Sequence, residues 1–205
     1  MKPHEIEQRS FAIIDTEAGP HGFDPQQWQI VRRMIHTSAD FEYMNSVRIH
    51  PRAVDAGIAV ISGGGTIYTD TNMARTGIRE RDLVRFGGNV QCLMASDRIA
   101  RLAAEAGTTR AQAAVDAVAG QLENSIYVVG NAPTALLRLI DHIRKGTADP
   151  ALVIGLPVGF VNAAESKEEL LGLDVPYITN MGRKGGSNVA AAVVNALIIM
   201  AGQDE

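Results

Sequence analysis

From residue 58 onward, short apolar runs take turns with helical segments, and within each run polar and apolar residues do not alternate. The runs are Ile58–Ile61, Val90–Ala95, Ser125–Val129, Ala151–Gly155 and Val175–Thr179, with a shorter one at Thr66–Thr69. Helical patterns lie between them, over Asp97–Ala106, Ala111–Leu122, Thr134–Lys145, Ser166–Leu171 and Asn188–Met200. A strand that is apolar throughout must be covered on both faces, and strands joined through helices run parallel. The pattern predicts an α/β protein: three-layer α/β/α with a mostly parallel sheet. Right-handed crossovers then gather the strand C-termini on one edge, where open sheets of this kind bind ligands.

The first forty residues read as helical, with Ile6, Ser10, Ile13 and Ile14 at helical spacing and a turn at Gly19–Gly22. Asp24-Pro25-Gln26-Gln27 is a helix start: Asp24 suits the N-cap, Pro25 the first helical position and Gln27 the capping-box partner. This helix is predicted to end near Ser38, and a second, short one to run from Pro51 to Ala56 and stop at Gly57. With 205 residues, no internal repeat and no low-complexity linker, the chain reads as a single domain, 1–205. The net charge of -4 argues against nucleic acid as the main partner. The single cysteine, Cys92, excludes an intrachain disulfide and reads as a buried small hydrophobe rather than a nucleophile. The N-terminus lacks an apolar signal core. The longest apolar stretch, Val189–Met200, is interrupted by Asn195 and is short of the roughly 20 residues that span a bilayer. No membrane partner and a cytoplasmic location are therefore expected.

Four glycine-rich loops follow the predicted strands: Ser62–Thr66, Gly130–Thr134, Gly155–Phe160 and Gly182–Ser187. Glycine allows close backbone approach, and free N–H groups at a helix start attract carboxylate or phosphate. Arg183 and Lys184 add two cations to the last loop. One such loop alone is ordinary turn chemistry; four on one edge point to an anionic small molecule. The spacings GxxxxGK[ST] and GxGxxG are absent, so neither an NTPase nor a Rossmann dehydrogenase is supported. GxSxG is missing too. The histidines, His4, His21, His36, His50 and His142, form no close metal pair, and no metal site is expected. His36 falls near the C-terminus of the capped helix, where the helix dipole favours a cationic side chain. A histidine there either acts as a proton donor or simply caps carbonyls.

Several strings carry a specific resemblance. They are Arg9–Ile14, Arg33-Met34-Ile35-His36, Gly107-Thr108-Thr109-Arg110, Gly130–Leu136 (GNAPTAL), Gly155–Lys167 (GLPVGFVNAAESK) and Gly182–Ser187 (GRKGGS). Through them the chain resembles the precorrin-8X (cobalt-precorrin-8) methylmutases of cobalamin biosynthesis, over nearly its whole length. The resemblance implies a cofactor-free isomerase that moves a methyl group from ring carbon 11 to ring carbon 12 of a corrin precursor, giving hydrogenobyrinate or cobyrinate. It places the family's catalytic histidine on His36, a substrate-binding serine on Ser10 and a substrate contact on Arg110. It also implies a tetrapyrrole substrate and a homodimer. The loop argument adds Asn131, Thr134, Arg183, Gly185 and Gly186 as substrate contacts. Leu156, Val158, Phe160, Ile67 and Met73 are candidates for the apolar faces of the macrocycle or for the core. Val189, Val193, Leu197 and Met200 suit an interface or the core equally. A corrinoid carrier is the rival from another class: it needs the loops but not His36. A phosphate-binding enzyme such as a kinase would rest on Gly182–Ser187 alone.

Overall fold

The computed structural model describes residues 2–203. Two helices, α1 (Pro3–Ala18) and α2 (Pro25–Ser38), lead into a short α3 (Tyr43–Ser46), β1 (Val47–Ile49) and α4 (Ala53–Ser62). Then come β2 (Thr66–Thr69), α5 (Asn72–Gly77), α6 (Glu80–Leu83) and β3 (Asn89–Gln91). The rest is α7 (Asp97–Ala106), α8 (Arg110–Val118), β4 (Ser125–Val129), α9 (Pro133–Arg144), β5 (Leu152–Gly155), α10 (Ala163–Leu171), β6 (Tyr177–Asn180) and α11 (Ser187–Ala201).

The six strands form one sheet in the order β1-β6-β5-β4-β2-β3. All neighbours are parallel except β1, which pairs antiparallel with β6. Successive strand residues point to opposite faces, and both faces are apolar here. Ile67, Ile126, Val128, Leu152, Ile154 and Ile178 pack with α2, α4 and α11. Tyr68, Tyr127, Val129 and Val153 pack with α8, α9 and α10. This is the three-layer arrangement the runs predicted. The ambiguous set on α11 resolves to core: Val189, Val193, Leu197 and Met200 are all buried.

The cap of α2 forms as its sequence predicts. The Asp24 side chain accepts from the amides of Gln26 and Gln27, Gln27 answers to the Asp24 amide, and the helix stops at Ser38. Other expectations are corrected. Ile58–Ile61 is not a strand but the second half of α4, and the helix predicted to stop at Gly57 runs through it. Gly57 is there for packing: a Cβ would lie 2.8 Å from Leu197 Cδ1 and 3.0 Å from Leu152 Cδ2. In consequence Ser62–Thr66 precedes β2 and lies on the opposite edge from the other three loops. Cys92 is half-buried just past β3, not sealed in the core.

Candidate functional site

His36 stands on the last turn of α2, exposed, with its ring 5.0 Å from that of Phe11 on α1. The packing of α1 on α2 puts it there. Asp15 of α1 accepts from Trp28 Nε1 and from Arg32, Glu7 pairs with Arg33, and the Arg32 guanidinium lies 4.5 Å over the Phe11 ring. The same packing brings Ser10 beside His36. Both line a cleft of about 370 Å³ with Ile13, Ile14, Glu17, Ile35, Ala39 and Phe41. The imidazole makes no hydrogen bond to a described residue. Ser10 Oγ donates to the Ile6 carbonyl and keeps its lone pairs. None of Arg110, Asn131, Thr134, Arg183, Gly185 or Gly186 lines this cleft.

A second group lies where the chain reverses direction across the sheet, at the ends of β2 and β4. This is the usual ligand crevice of an open α/β sheet. Here the loop Gly130–Thr134 already holds an anion of the protein's own. Asp70, directly after β2, is buried, and its carboxylate accepts from the amides of Gly130 (2.9 Å), Asn131 (2.9 Å) and Ala132 (2.7 Å). It supplies the negative charge that the N-terminus of α9 attracts. Burial pushes the Asp70 carboxyl above the ordinary carboxylate range, and the three N–H donors pull it partway back. The Asn131 amide is therefore committed, and only its exposed side chain faces outward. Thr134, half-buried on the first turn of α9, has its hydroxyl 3.5 Å from that of Thr109, the N-cap of α8. Arg110, the next residue, is exposed beside it.

The loop Gly182–Ser187 joins these two groups. Gly130 packs on Ser187 so closely that a Cβ would lie 2.7 Å from Ser187 Cα, and Ser187 Oγ meets Thr71 Oγ1 at 2.8 Å. Gly185 (φ 159°) and Gly186 (φ 133°) take backbone shapes that suit glycine alone. A Cβ on Gly185 would collide with the Leu156 carbonyl, and the Gly186 amide donates to that same oxygen at 2.9 Å. These two glycines let one loop lie flat on another. Helix α11 then begins at Gly186 without a side-chain cap. Arg183 is exposed, 5.4 Å over the Phe160 ring. Lys184 is not a loose cation: its ammonium donates to Asp40 Oδ2 and to Glu42 Oε2 (2.7 Å), just beyond His36.

Two residues of this edge went unread in the sequence. Asp70 could have been noticed as the one carboxylate between Asp55 and Glu80. Lys167 shares a face of α10 with Ala163 and Leu170, and it is fully buried. Of the apolar candidates, Leu156 and Ile67 are core, whereas Val158, Phe160 and Met73 are exposed. Among the described residues no group of three or more His, Cys, Asp or Glu side chains is placed to hold a metal ion.

Comparison with known proteins shows the family. Residues 5–200 match the family model for precorrin-8X methylmutase. A cobalt-precorrin-8 methylmutase of Priestia megaterium is 46% identical, over 98% of this chain and 89% of its own. A precorrin-8X methylmutase of Pseudomonas aeruginosa is 40% identical, over 94% and 93%. The crystal structure of a precorrin-8X methylmutase from Thermus thermophilus superposes with a TM-score of 0.91 at 47% identity, covering 98% of this chain and 97% of that one. The match is near full length in sequence and in backbone, and the chain belongs to the precorrin-8X methylmutase family.

Proposed function

We propose that this protein moves a methyl group from ring carbon 11 to ring carbon 12 of precorrin-8X or cobalt-precorrin-8, giving hydrogenobyrinate or cobyrinate. His36 is the proton donor to, or hydrogen-bond partner of, the ring. Family membership supports the reaction. The observation that carries His36 is its exposed ring beside Ser10, on the wall of the 370 Å³ cleft, with no hydrogen bond to a described residue.

The shift is balanced within the substrate: one carbon–carbon bond breaks, another forms, and the ring double bonds move. The protein has only to hold the macrocycle and withdraw electron density from it. A proton or hydrogen bond from His36 does the latter. Ser10 offers a hydroxyl beside it, and Ile13 and Phe41 supply apolar contact for a ring face. Arg110 and Arg183 take the peripheral acetate and propionate groups, which guanidinium binds in a two-pronged fashion. The uncapped start of α11 offers further N–H donors. Asn131 contributes its side chain and Thr134 its hydroxyl. Gly185 and Gly186 act by seating the loop that carries Arg183.

The test is the absorbance spectrum of the pigment before and after incubation, with metal-free and cobalt-loaded precursors in parallel. The wild-type protein is expected to convert at least one of them. The variant His36→Ala is expected to bind the pigment but turn it over at least about a hundredfold more slowly. Undiminished turnover would remove His36 from the chemistry. Binding of substrate and product without conversion by the wild type would mark a carrier instead.

The working unit is proposed to be a cytoplasmic homodimer. Among the described residues no helix is long and apolar enough to cross a membrane. Phe160 and Val161 are 83% and 77% exposed after β5, an apolar surface that a second copy would cover. Sedimentation velocity should return twice the chain mass of 21.9 kDa. A species of single chain mass at micromolar concentration would refute this.

A further inference from the structure

Lys167 is the largest side chain that the fold buries completely, and it has no carboxylate partner among the described residues. An ammonium group in that position demands acceptors, since its alternative is full hydration. It finds two. Its Nζ donates to the Lys184 carbonyl at 2.7 Å and to Asn180 Oδ1 at 3.2 Å. Asn180, the last residue of β6 and itself buried, turns its amide nitrogen to the same Lys184 carbonyl (3.0 Å) and to that of Met181 (3.1 Å). The start of the loop, at Met181, and its middle, at Lys184, are thereby tied from beneath. From the side, the loop is tied by Gly186 N–H to Leu156 O and by Gly159 N–H to Arg183 O (3.2 Å). Lys184 is the junction: its carbonyl takes the donors from below, and its own ammonium reaches across to Asp40 and Glu42. Those two carboxylates belong to the segment that leaves the His36 helix.

We propose that Lys167 is a positioning residue of this enzyme. From inside the fold it holds the Lys184 carbonyl, which sets the stance of Arg183 toward the substrate and, through Lys184, ties the loop to the segment after His36. This rests on the methylmutase reading and on Arg183 as a substrate contact. A core lysine that merely fills space would affect stability and leave substrate affinity alone, so the two roles separate in kinetics.

The experiment compares wild type with Lys167→Met, Lys184→Met and the double variant in the pigment assay, with KM and kcat measured separately. Methionine keeps the length and removes the donors. The expected result for Lys167→Met is a folded protein whose KM is raised about tenfold, while kcat changes by less than about threefold. Because both side chains hold the same loop, Lys167 at the Lys184 carbonyl and Lys184 through Asp40 and Glu42, the double variant is expected to be less impaired than the product of the single effects. Three results would overturn the proposal. One is a folded Lys167→Met with unchanged KM. Another is strict multiplicativity of the two single effects. The third is a chain that fails to fold with either Met or Arg at position 167, which would assign the lysine to core stability. If instead the wild type converts no pigment while staying folded, the methylmutase reading fails, and that outcome is seen before any variant is made.

Discussion

Ala39 holds a left-handed backbone (φ 54°, ψ 33°) directly after the His36 helix, and its N–H closes the last turn onto the Ile35 carbonyl at 2.7 Å. A side chain with a Cβ is strained there by roughly 1–2 kcal/mol, which is why glycine is the usual residue at this position. The substitution Ala39→Gly relieves that strain but also loosens the unfolded chain, so a net gain of about 0.5 kcal/mol is expected, read as a higher urea midpoint at unchanged slope. Asp70 is the opposite case, a side chain with three dependants. The change Asp70→Ala leaves the amides of Gly130, Asn131 and Ala132 without their acceptor and is expected to destabilise by about 3 kcal/mol in the same measurement. A loss under about 1 kcal/mol would mean that water replaces the carboxylate. By sequence, the glycines and helix start of this loop suggest an open anion site. The anion that satisfies it comes from residue 70, and a pairing across 60 residues leaves no mark in local spacing.

At the scale of elements, the legible parts are those whose local chemistry agrees with their environment. Strand β4 is found residue for residue, because five buried residues in a row between turns leave few other solutions. Helix α7 is found at both ends, with Ser96 as its N-cap and Gly107 in the left-handed region after its last turn. Helix α4 shows what a short window cannot tell. Ile58–Ile61 is an unbroken apolar run because α4 packs on the sheet and beside α11, although Ala59 is exposed, and over four residues a helix packed this way and a buried strand look alike. Gly57 then reads as a stop when its role is contact. Alanine there would normally favour a helix by about 1 kcal/mol. With Leu197 and Leu152 this close, overpacking of about 1–3 kcal/mol outweighs that gain, and Gly57→Ala is expected to lower the thermal midpoint. Strand β1 is three residues long and antiparallel at the sheet edge, too short for any period to register. In the candidate site, His36, Ser10 and the Gly182–Ser187 loop were legible as strings. The burial of Lys167 and the engagement of Lys184 were not, since both depend on which helix faces which loop.

Over the whole molecule, the buried Lys167 raises stability on the alkaline side, and Tyr43, Tyr68 and Tyr127, with Lys184, lower it again at higher pH. Burial lowers the Lys167 ammonium to about 8, whereas an unfolded lysine titrates near 10.4. Between these values the unfolded chain binds more protons than the folded one, so unfolding free energy rises with pH. The gap corresponds to at most about 3 kcal/mol, less whatever solvent reaches the site on relaxation. Tyr127 acts in the other direction. Burial, with Asp70 nearby, pushes its hydroxyl far above the value of about 10 at which an unfolded tyrosine ionises. Above that pH the folded state holds the extra proton, and stability falls. The protein is therefore expected to gain stability from about pH 8 and to lose it beyond about pH 10, a maximum displaced to the alkaline side of the usual range. Urea unfolding in steps of half a pH unit from 7 to 11 measures it. In Lys167→Met the rise should vanish while the fall persists, because only the lysine limb has been removed. If the variant keeps the rise, a group other than Lys167 carries it, and the Lys184 and Asn180 acceptors hold the ammonium in the folded state about as well as water does.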